Sequence, residues 1–115
     1  MKYDVVIIGG GPAGIMSAIS ASSLGAKVLL VEKNDKLGNK LLLTGGGRCN
    51  LTCIEKNNKE FCDKFGKNGD FLLSSFSSFN FQNTIKFFEE LPLKNEGNKI
   101  YPESENSKDV LKFLL

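Results

Sequence analysis

An apolar run that leads directly into a glycine pattern constrains the fold of this chain more than any other feature. Val5 to Ile8 contains no polar residue, and Gly9-x-Gly11-x-x-Gly14 follows it without a break. An apolar run without alternation predicts a parallel strand that is covered on both faces. The glycine pattern after it predicts a tight turn from that strand into a helix.

The next residues predict that helix and a second strand. Pro12 stands where a helix tolerates a missing N–H, and Ala13 to Leu24 carries apolar residues at helical spacing. Gly25 supplies the left-handed residue that often ends a helix, and Val28 to Val31 is a second apolar run. Together these segments predict strand, helix and strand, the parallel crossover unit of an α/β, Rossmann-type fold.

The remainder of the chain predicts shorter elements. Residues 36–43 form a short helix or turn, and residues 44–50 form a glycine loop. Residues 55–91 hold eight of the nine phenylalanines and predict short amphipathic helices with the aromatic rings packed in the core. We prefer core packing to a stacking platform for bases because several of these rings recur at helical spacing.

The C-terminal part predicts a hairpin and a last helix. Asn95-Glu96-Gly97-Asn98 is a turn sequence, and Pro102 prevents extension of the strand that follows it. Ser107 is expected to cap a helix that continues to the end of the chain. Since a dinucleotide fold needs several parallel strands, we expect residues 1–115 to form a single domain that is truncated at its C-terminus, with an incomplete sheet.

Composition excludes several classes of function. The 115 residues include no histidine, which excludes a His-based triad, a His proton shuttle and a His metal ligand. The three cysteines lack a fourth partner for a tetrahedral site, so we expect no metal. A net charge of +2 makes nucleic-acid binding by this segment improbable. No apolar stretch has the length of a signal peptide or a membrane helix, which favours a cytoplasmic protein and no membrane partner.

Each residue of the first glycine pattern has a physical role in binding a dinucleotide. Gly9 permits the tight turn, Gly11 lets a diphosphate approach the backbone, and Gly14 with Ala18 lets the helix pack close to the sheet. The helix N-terminus then attracts the anion. Glu32 follows the second strand, where its carboxylate accepts hydrogen bonds from ribose hydroxyls and repels a 2′-phosphate. The pattern favours FAD or NAD over NADP, and an ordinary strand-to-helix turn is the alternative.

A second glycine constellation spans Thr44 to Asn50. Three consecutive glycines lose much conformational entropy on folding, which favours close approach of a ligand, and Arg48 offers a forked donor for a diphosphate. A flexible surface loop with a solvated arginine is the alternative. Cys49 and Cys53 stand at C-x3-C spacing, and for Cys49 we favour a small buried cysteine over a redox pair.

These stretches resemble one family of flavoproteins. The stretches are Gly9-Gly10-Gly11-Pro12-Ala13-Gly14, Val31-Glu32-Lys33-Asn34 and Gly38 to Thr52, of which Lys40-Leu41-Leu42-Leu43-Thr44-Gly45-Gly46-Gly47-Arg48-Cys49-Asn50 is the most specific. They are similar to the N-terminal part of the HI0933-like flavoproteins, also described as BaiN-type or aminoacetone-oxidase-family oxidoreductases. Phe87 to Leu91 and Tyr101 to Ser104 resemble later segments of that family.

The resemblance implies an FAD-binding domain whose flavin is reduced by NAD(P)H and passes hydride to a substrate, either a small molecule such as a steroid-like enone or an RNA base such as a uridine of ribosomal RNA. It also implies that the remainder of a longer chain is the partner of this segment. No catalytic residue is named, because the FAD ring carries the hydride. A non-catalytic dinucleotide-binding module and an inactive truncated fragment are the alternatives. The candidate cofactor-binding residues are Gly9, Gly11, Pro12, Ala13, Gly14, Glu32, Lys33, Lys40, Gly45, Gly46, Gly47, Arg48 and Asn50.

Overall fold

The predicted crossover unit is confirmed at the N-terminus. In the computed structural model, which describes residues 1–115, β1 (Val5–Ile8) and β2 (Val28–Val31) are parallel and α1 (Pro12–Ser23) connects them. The register pairs Val5 with Val28 and Ile8 with Val31. Gly25 follows the end of α1 with a left-handed φ of +88°, which is the role that its position predicts.

The prediction that β1 is covered on both faces is wrong within these residues. Val5 and Ile7 are half-buried, whereas the alternate side chains are exposed, Val6 to 55% and Ile8 to 79%. Successive side chains of a strand point to opposite faces, and α1 covers only one of them. The two-stranded parallel sheet therefore presents one apolar face to solvent.

A second, antiparallel sheet contains the predicted hairpin. β4 (Leu93–Glu96) and β5 (Lys99–Pro102) are joined by a tight turn in which Gly97 has a φ of +63°. β3 (Thr52–Cys53) pairs with the other edge of β5, so the strand order is β3-β5-β4. β3 was not predicted, because two residues are too few to establish an alternating pattern.

Short helices make up most of the remaining chain, as predicted. One of them, α2 (Asn39–Leu43), runs directly into the glycine loop, where Gly45 and Gly46 have left-handed backbone angles. No helix of the structure combines the length and the apolar character needed to cross a membrane. The other helical segments are α3 (Asn58–Asp63), a 3₁₀ helix (Gly66–Leu72), α4 (Leu73–Ser78), α5 (Phe81–Phe87) and α6 (Ser107–Leu114).

The prediction that Ser107 caps the last helix is wrong. Asn106 occupies the cap position, and its side-chain oxygen accepts a hydrogen bond from the N–H of Lys108 at 3.0 Å. Ser107 is buried instead, and its hydroxyl donates to the carbonyl oxygen of Leu42 at 2.8 Å. The serine thus joins α6 to α2.

The phenylalanines divide between packed clusters and the surface. The Phe61 ring lies 4.8 Å from Phe76 and 6.0 Å from Phe81, measured between ring centroids. Phe88 is buried in the main core with Leu41, Cys49 and Val110. The core prediction is wrong for three rings that no second layer covers, which are the exposed Phe65, Phe71 and Phe79.

Candidate functional site

The three glycines of the first pattern meet different surroundings. Gly9 adopts a φ of +106°, which a residue with a Cβ rarely reaches, and this allows the turn out of β1. A Cβ on Gly14 would overlap the carbonyl oxygen of Gly9, so only glycine lets α1 start this close to the turn. A Cβ on Gly11 would meet no atom within 4 Å. Gly11 therefore faces open space, which is where a ligand can approach the backbone.

The first turn of α1 offers free hydrogen-bond donors beside that space. Gly11 precedes the helix without a side-chain cap, and no acidic residue lies in the first turn. The first helical N–H groups have no acceptor within a helix, and those of Ala13 and Gly14 donate to no other group of the protein. Donors at the positive end of the helix dipole suit a diphosphate.

Glu32 is held by backbone groups next to the glycine turn. Its Oε1 accepts a hydrogen bond from the N–H of Asn34 at 3.1 Å, and its Oε2 accepts one from the N–H of Gly10 at 2.8 Å. These two bonds, that from Asn34 first, lower the pKa of Glu32 from its ordinary value of 4.5. Oε1 also accepts a hydrogen bond from the side-chain amide of Asn34 at 3.3 Å, so Oε2 is the oxygen that keeps a lone pair for a ribose hydroxyl.

The lowered pKa of Glu32 determines how its hydrogen bonds to the backbone depend on pH. Because the pKa is lower in the folded chain than in the unfolded one, the two backbone bonds stabilise the fold above pH 4.5. That contribution is lost as the pH falls through the lowered value. At neutral pH the carboxylate is therefore ionised, which is the form that accepts hydrogen bonds.

A groove of ≈ 490 Å³ joins the glycine turn to the end of β2. Of the predicted site residues, it brings together Gly9, Gly11, Glu32, Lys33 and Lys40. The two lysines add positive charge to the groove. The one carboxylate that lines it, that of Glu32, already accepts hydrogen bonds from backbone N–H groups. The other residues that line the groove are Ile8, Gly10, Val31, Asn34 and Asn39.

A second, largely apolar cavity of ≈ 250 Å³ includes Pro12, the first residue of α1, in its lining. The structure thus brings one residue of the first glycine constellation together with three of the second, which are Thr44, Cys49 and Asn50. The rest of the lining comes mainly from apolar side chains of the core and of α5 and α6. A polar groove and an apolar pocket therefore both lie next to the start of α1.

The consecutive glycines of the second loop have a conformational explanation. Gly45, Gly46 and Gly47 have φ values of +57°, +67° and +89°, all in the left-handed region. A Cβ on Gly45 would also lie 2.7 Å from the backbone nitrogen of Asn50. None of the three lines either cavity. Backbone geometry accounts for glycine at these positions, and their role toward a ligand stays a prediction.

Arg48 binds protein groups away from the groove. Its Nη1 donates to Glu96 Oε2 at 2.7 Å and to Glu105 Oε1 at 3.2 Å, and its guanidinium carbon lies 4.2 Å from the centroid of the Tyr101 ring. Lys94, the larger influence, and Arg48 both lower the pKa of the Glu105 carboxyl. Arg48 thereby ties the glycine loop to the hairpin, and the diphosphate role that the sequence predicts for it stays a prediction.

Replacing Arg48 by alanine is expected to lower the midpoint of thermal unfolding by a few degrees, because two ion pairs and an aromatic contact are lost together. Arg48→Lys keeps the charge without the forked geometry and is expected to recover only part of the loss. Circular dichroism measures the midpoint, with Lys94→Ala, which removes only one ion pair, as the control. If the unfolding midpoint of the apoprotein is unchanged and the variant loses bound dinucleotide, Arg48 acts on the ligand instead.

Cys49 is a buried residue of the same loop, as the sequence favours. Its side chain is 5% exposed, and burial raises the pKa of its thiol. A raised pKa disfavours the thiolate that redox exchange requires. The geometry therefore supports a packing role for Cys49 in the core.

Sequence reasoning missed four residues that shape the site. Gly10 holds Glu32, Asn34 also holds it, Gly38 contacts the glycine turn, and Asn39 lines the groove. Gly10 stands between two glycines of the pattern, and this position indicates that it belongs to the same turn. Asn34, Gly38 and Asn39 lie in stretches that resemble the family, but an asparagine or a single glycine after a strand is typical of any loop, so residue type alone did not indicate a role in the site.

Comparison with known proteins agrees with this geometry. Residues 3–115 match the family model described as the HI0933-like protein Rossmann domain. The chain is 38% identical over 115 residues to the 3-dehydro-bile acid delta(4,6)-reductase of Clostridium scindens, an alignment that covers 94% of this chain and 27% of that protein. The chain thus spans about a quarter of the length of this curated relative.

Two further relatives match mainly one stretch of the chain. The ribosomal RNA dihydrouridine synthase of Escherichia coli is 45% identical over 51 residues, which is 44% of this chain and 13% of that protein. The mitochondrial dihydrolipoyl dehydrogenase of Dictyostelium discoideum is 55% identical over 44 residues, which is 38% of this chain and 9% of that protein. Proteins that are named for different substrates are therefore each similar to part of this chain.

Proposed function

This chain belongs to the family of HI0933-like proteins through its Rossmann domain, and on that basis we propose that it is the FAD-binding part of a flavin-dependent oxidoreductase. The observation that carries the proposal is the open space at Gly11, which lies between unpaired helix N–H groups and a carboxylate held for a ribose. In this proposal a diphosphate would lie at the helix N-terminus and a ribose hydroxyl at the carboxylate.

The two cavities support FAD over NAD as the bound dinucleotide. The adenosine and diphosphate would lie in the groove, with Gly9, Gly11 and Glu32 as their partners and Lys33 and Lys40 at its rim. The apolar pocket beyond Pro12 supports a ligand whose second half contains a planar apolar ring. In this proposal, further parts of a longer polypeptide complete the pocket around that ring.

The residues of this chain would bind and orient the cofactor rather than perform chemistry. FAD, when bound, would supply the redox chemistry, which is hydride transfer from NADH or NADPH to a substrate that also takes up a proton from solvent. Gly11 and the start of α1 hold the diphosphate, and Glu32 fixes the ribose so that the ring is anchored from one end. No side chain described here has to act as an acid or base.

We propose that the hydride acceptor is a carbon–carbon double bond conjugated to a carbonyl group. The names of two relatives support this class, since one is a reductase of a bile acid and the other a synthase of dihydrouridine. A steroid-like enone and the uracil ring of uridine both contain such a bond. The net charge of +2 supports the small molecule over RNA as the ligand of this segment.

The complete protein is expected to purify with a visible flavin absorbance, and denaturation is expected to release FAD in a ratio near one per chain. Anaerobic addition of NADH or NADPH is expected to bleach that absorbance, and a conjugated enone is expected to restore it. Chromatography of the released cofactor identifies it, and a saturated steroid of matched size is the control for the enone.

Two outcomes would contradict this proposal at different levels. If denaturation releases no FAD while NAD binds tightly, the cofactor assignment is wrong and the domain is a simple nicotinamide module. If FAD is bound but no nicotinamide cofactor reduces it, the protein is a dinucleotide-binding module without the proposed redox reaction.

A further inference from the structure

Gly38 contacts the glycine turn from a neighbouring segment. It lies immediately before α2, is buried, and has a left-handed φ of +76°. Its N–H donates to the carbonyl oxygen of Gly10 at 2.8 Å. Gly38 does not line the groove, although Asn39 and Lys40 directly after it do. Any effect of Gly38 on a bound dinucleotide must therefore pass through its neighbours.

The Leu111 side chain of α6 occupies the space that a side chain at this position would need. A Cβ on residue 38 would lie 2.5 Å from Leu111 Cδ1 and 3.0 Å from Leu111 Cδ2. α6 cannot move away freely, because the Ser107 hydroxyl bonds to the carbonyl oxygen of Leu42 and Val110 is buried in the core. A methyl group at residue 38 would push either Leu111 or the segment that holds Gly10.

Gly10 transmits such a push to Glu32. Gly10 is buried, and a Cβ there would overlap Leu37 and lie 3.0 Å from Glu32 Oε2, so its surroundings are closely packed. Its N–H donates to that same Oε2, and its carbonyl oxygen accepts from Gly38. A series of contacts thus leads from Leu111 on α6 through Gly38 and Gly10 to the Glu32 carboxylate, which the proposed ribose contact requires.

We propose that Gly38 is a positioning residue of the dinucleotide site, which sets the location of Gly10 and through it the orientation of Glu32. The inference rests on the proposed function, because it concerns the affinity of that site for FAD. Leu111 defines the space available to residue 38, so a residue of α6 that is remote from the ligand contributes to affinity.

The test compares alanine at two left-handed glycines of the complete protein. Gly25 has a φ of +88° and open space around it, so Gly25→Ala carries the same kind of backbone strain without a clash. FAD titrated into the apoprotein gives the dissociation constant from fluorescence quenching. Gly38→Ala is expected to weaken binding about tenfold, the loss typical of one misplaced charge-assisted hydrogen bond, and Gly25→Ala to leave it unchanged.

The pH profile of FAD binding separates positioning from general destabilisation. The Gly10 N–H helps to keep the pKa of Glu32 low, so displacement of Gly10 raises that pKa. The acid-side loss of affinity is then expected to begin at a higher pH in Gly38→Ala than in the wild type or in Gly25→Ala. The charged groups that share the groove with Glu32 are Lys33 and Lys40, and both are unchanged in every variant.

Changes at Leu111 test the same contact from the other side. Leu111→Ala added to Gly38→Ala makes room for the new methyl group, and it is expected to restore FAD affinity while it lowers the thermal midpoint further. Leu111→Phe alone enlarges the α6 side of the contact, and it is expected to reproduce the weaker FAD binding and the shifted pH profile. This variant tests the contact even if Gly38→Ala does not fold.

Two results would overturn the inference in distinguishable ways. If the wild type binds FAD and both Gly38→Ala and Leu111→Phe match Gly25→Ala in affinity and pH profile, Gly38 has no positioning role. If the wild-type protein itself binds no FAD, the proposed function fails first.

Discussion

Replacing Gly11 by valine is expected to abolish FAD retention by the complete protein and to leave the thermal unfolding midpoint of the apoprotein unchanged. The Cβ of residue 11 points into open space, and Gly11 has an ordinary φ of −80°, so the fold tolerates a side chain there. A bound diphosphate would need that same space next to the backbone. We expect affinity to fall by more than about a hundredfold, which exceeds the loss of a single hydrogen bond.

Gly14→Val is the matched control because it changes the same pattern for a different physical reason. A Cβ on residue 14 would overlap the carbonyl oxygen of Gly9, so this variant is expected to lower the thermal midpoint strongly or to prevent folding. Flavin absorbance and circular dichroism on both variants separate the two effects. Equal flavin content in Gly11→Val and the wild type would remove the assignment of this turn to the cofactor.

Residues 1–115 expressed alone are expected to fold only loosely. The structure buries 14 of its 115 residues, and its radius of gyration is 15.1 Å, against about 13 Å for a compact domain of this length. The open face of the parallel sheet carries Val6, Ile8 and Val31, which are all exposed. A sheet of two strands with one uncovered apolar face lacks the burial that opposes chain entropy.

The expected observations for these residues alone are binding of a hydrophobic dye, a broad thermal transition, dispersed but broad amide signals and FAD affinity far below that of the complete protein. The complete protein, measured in the same buffer, is the control. A sharp, cooperative transition of the monomer with one FAD bound per chain would show that these residues form an independent domain.

Local pattern was sufficient to predict the crossover unit and the position of the candidate site residues Gly11 and Glu32 within it. Hydrophobic runs, a proline and glycines with required φ angles act over a few neighbouring residues, so they can be interpreted without knowing the rest of the fold. For this reason β1, α1 and β2, the open approach at Gly11 and the placement of Glu32 beside the turn follow from the order of the residues.

Contacts between distant segments decided the remainder. Arg48 meets Glu96 and Glu105, which lie 48 and 57 residues further along the chain, and no local pattern indicates that these carboxylates engage its guanidinium. The same holds for Ser107, whose partner Leu42 is 65 residues away and which gives up the cap position to Asn106.

The candidate site likewise combines features that local sequence predicts with features that depend on contacts between distant segments. The order of residues is enough to predict that a carboxylate follows β2 next to a glycine turn, because both belong to one crossover unit. The orientation of that carboxylate depends on tertiary contacts, since Gly10 donates to it, Gly38 donates to Gly10, and Leu111 limits the space at residue 38. These positions depend on the packing of α6 against α2, and packing is a property of side chains brought together by the whole fold rather than of their order in the chain.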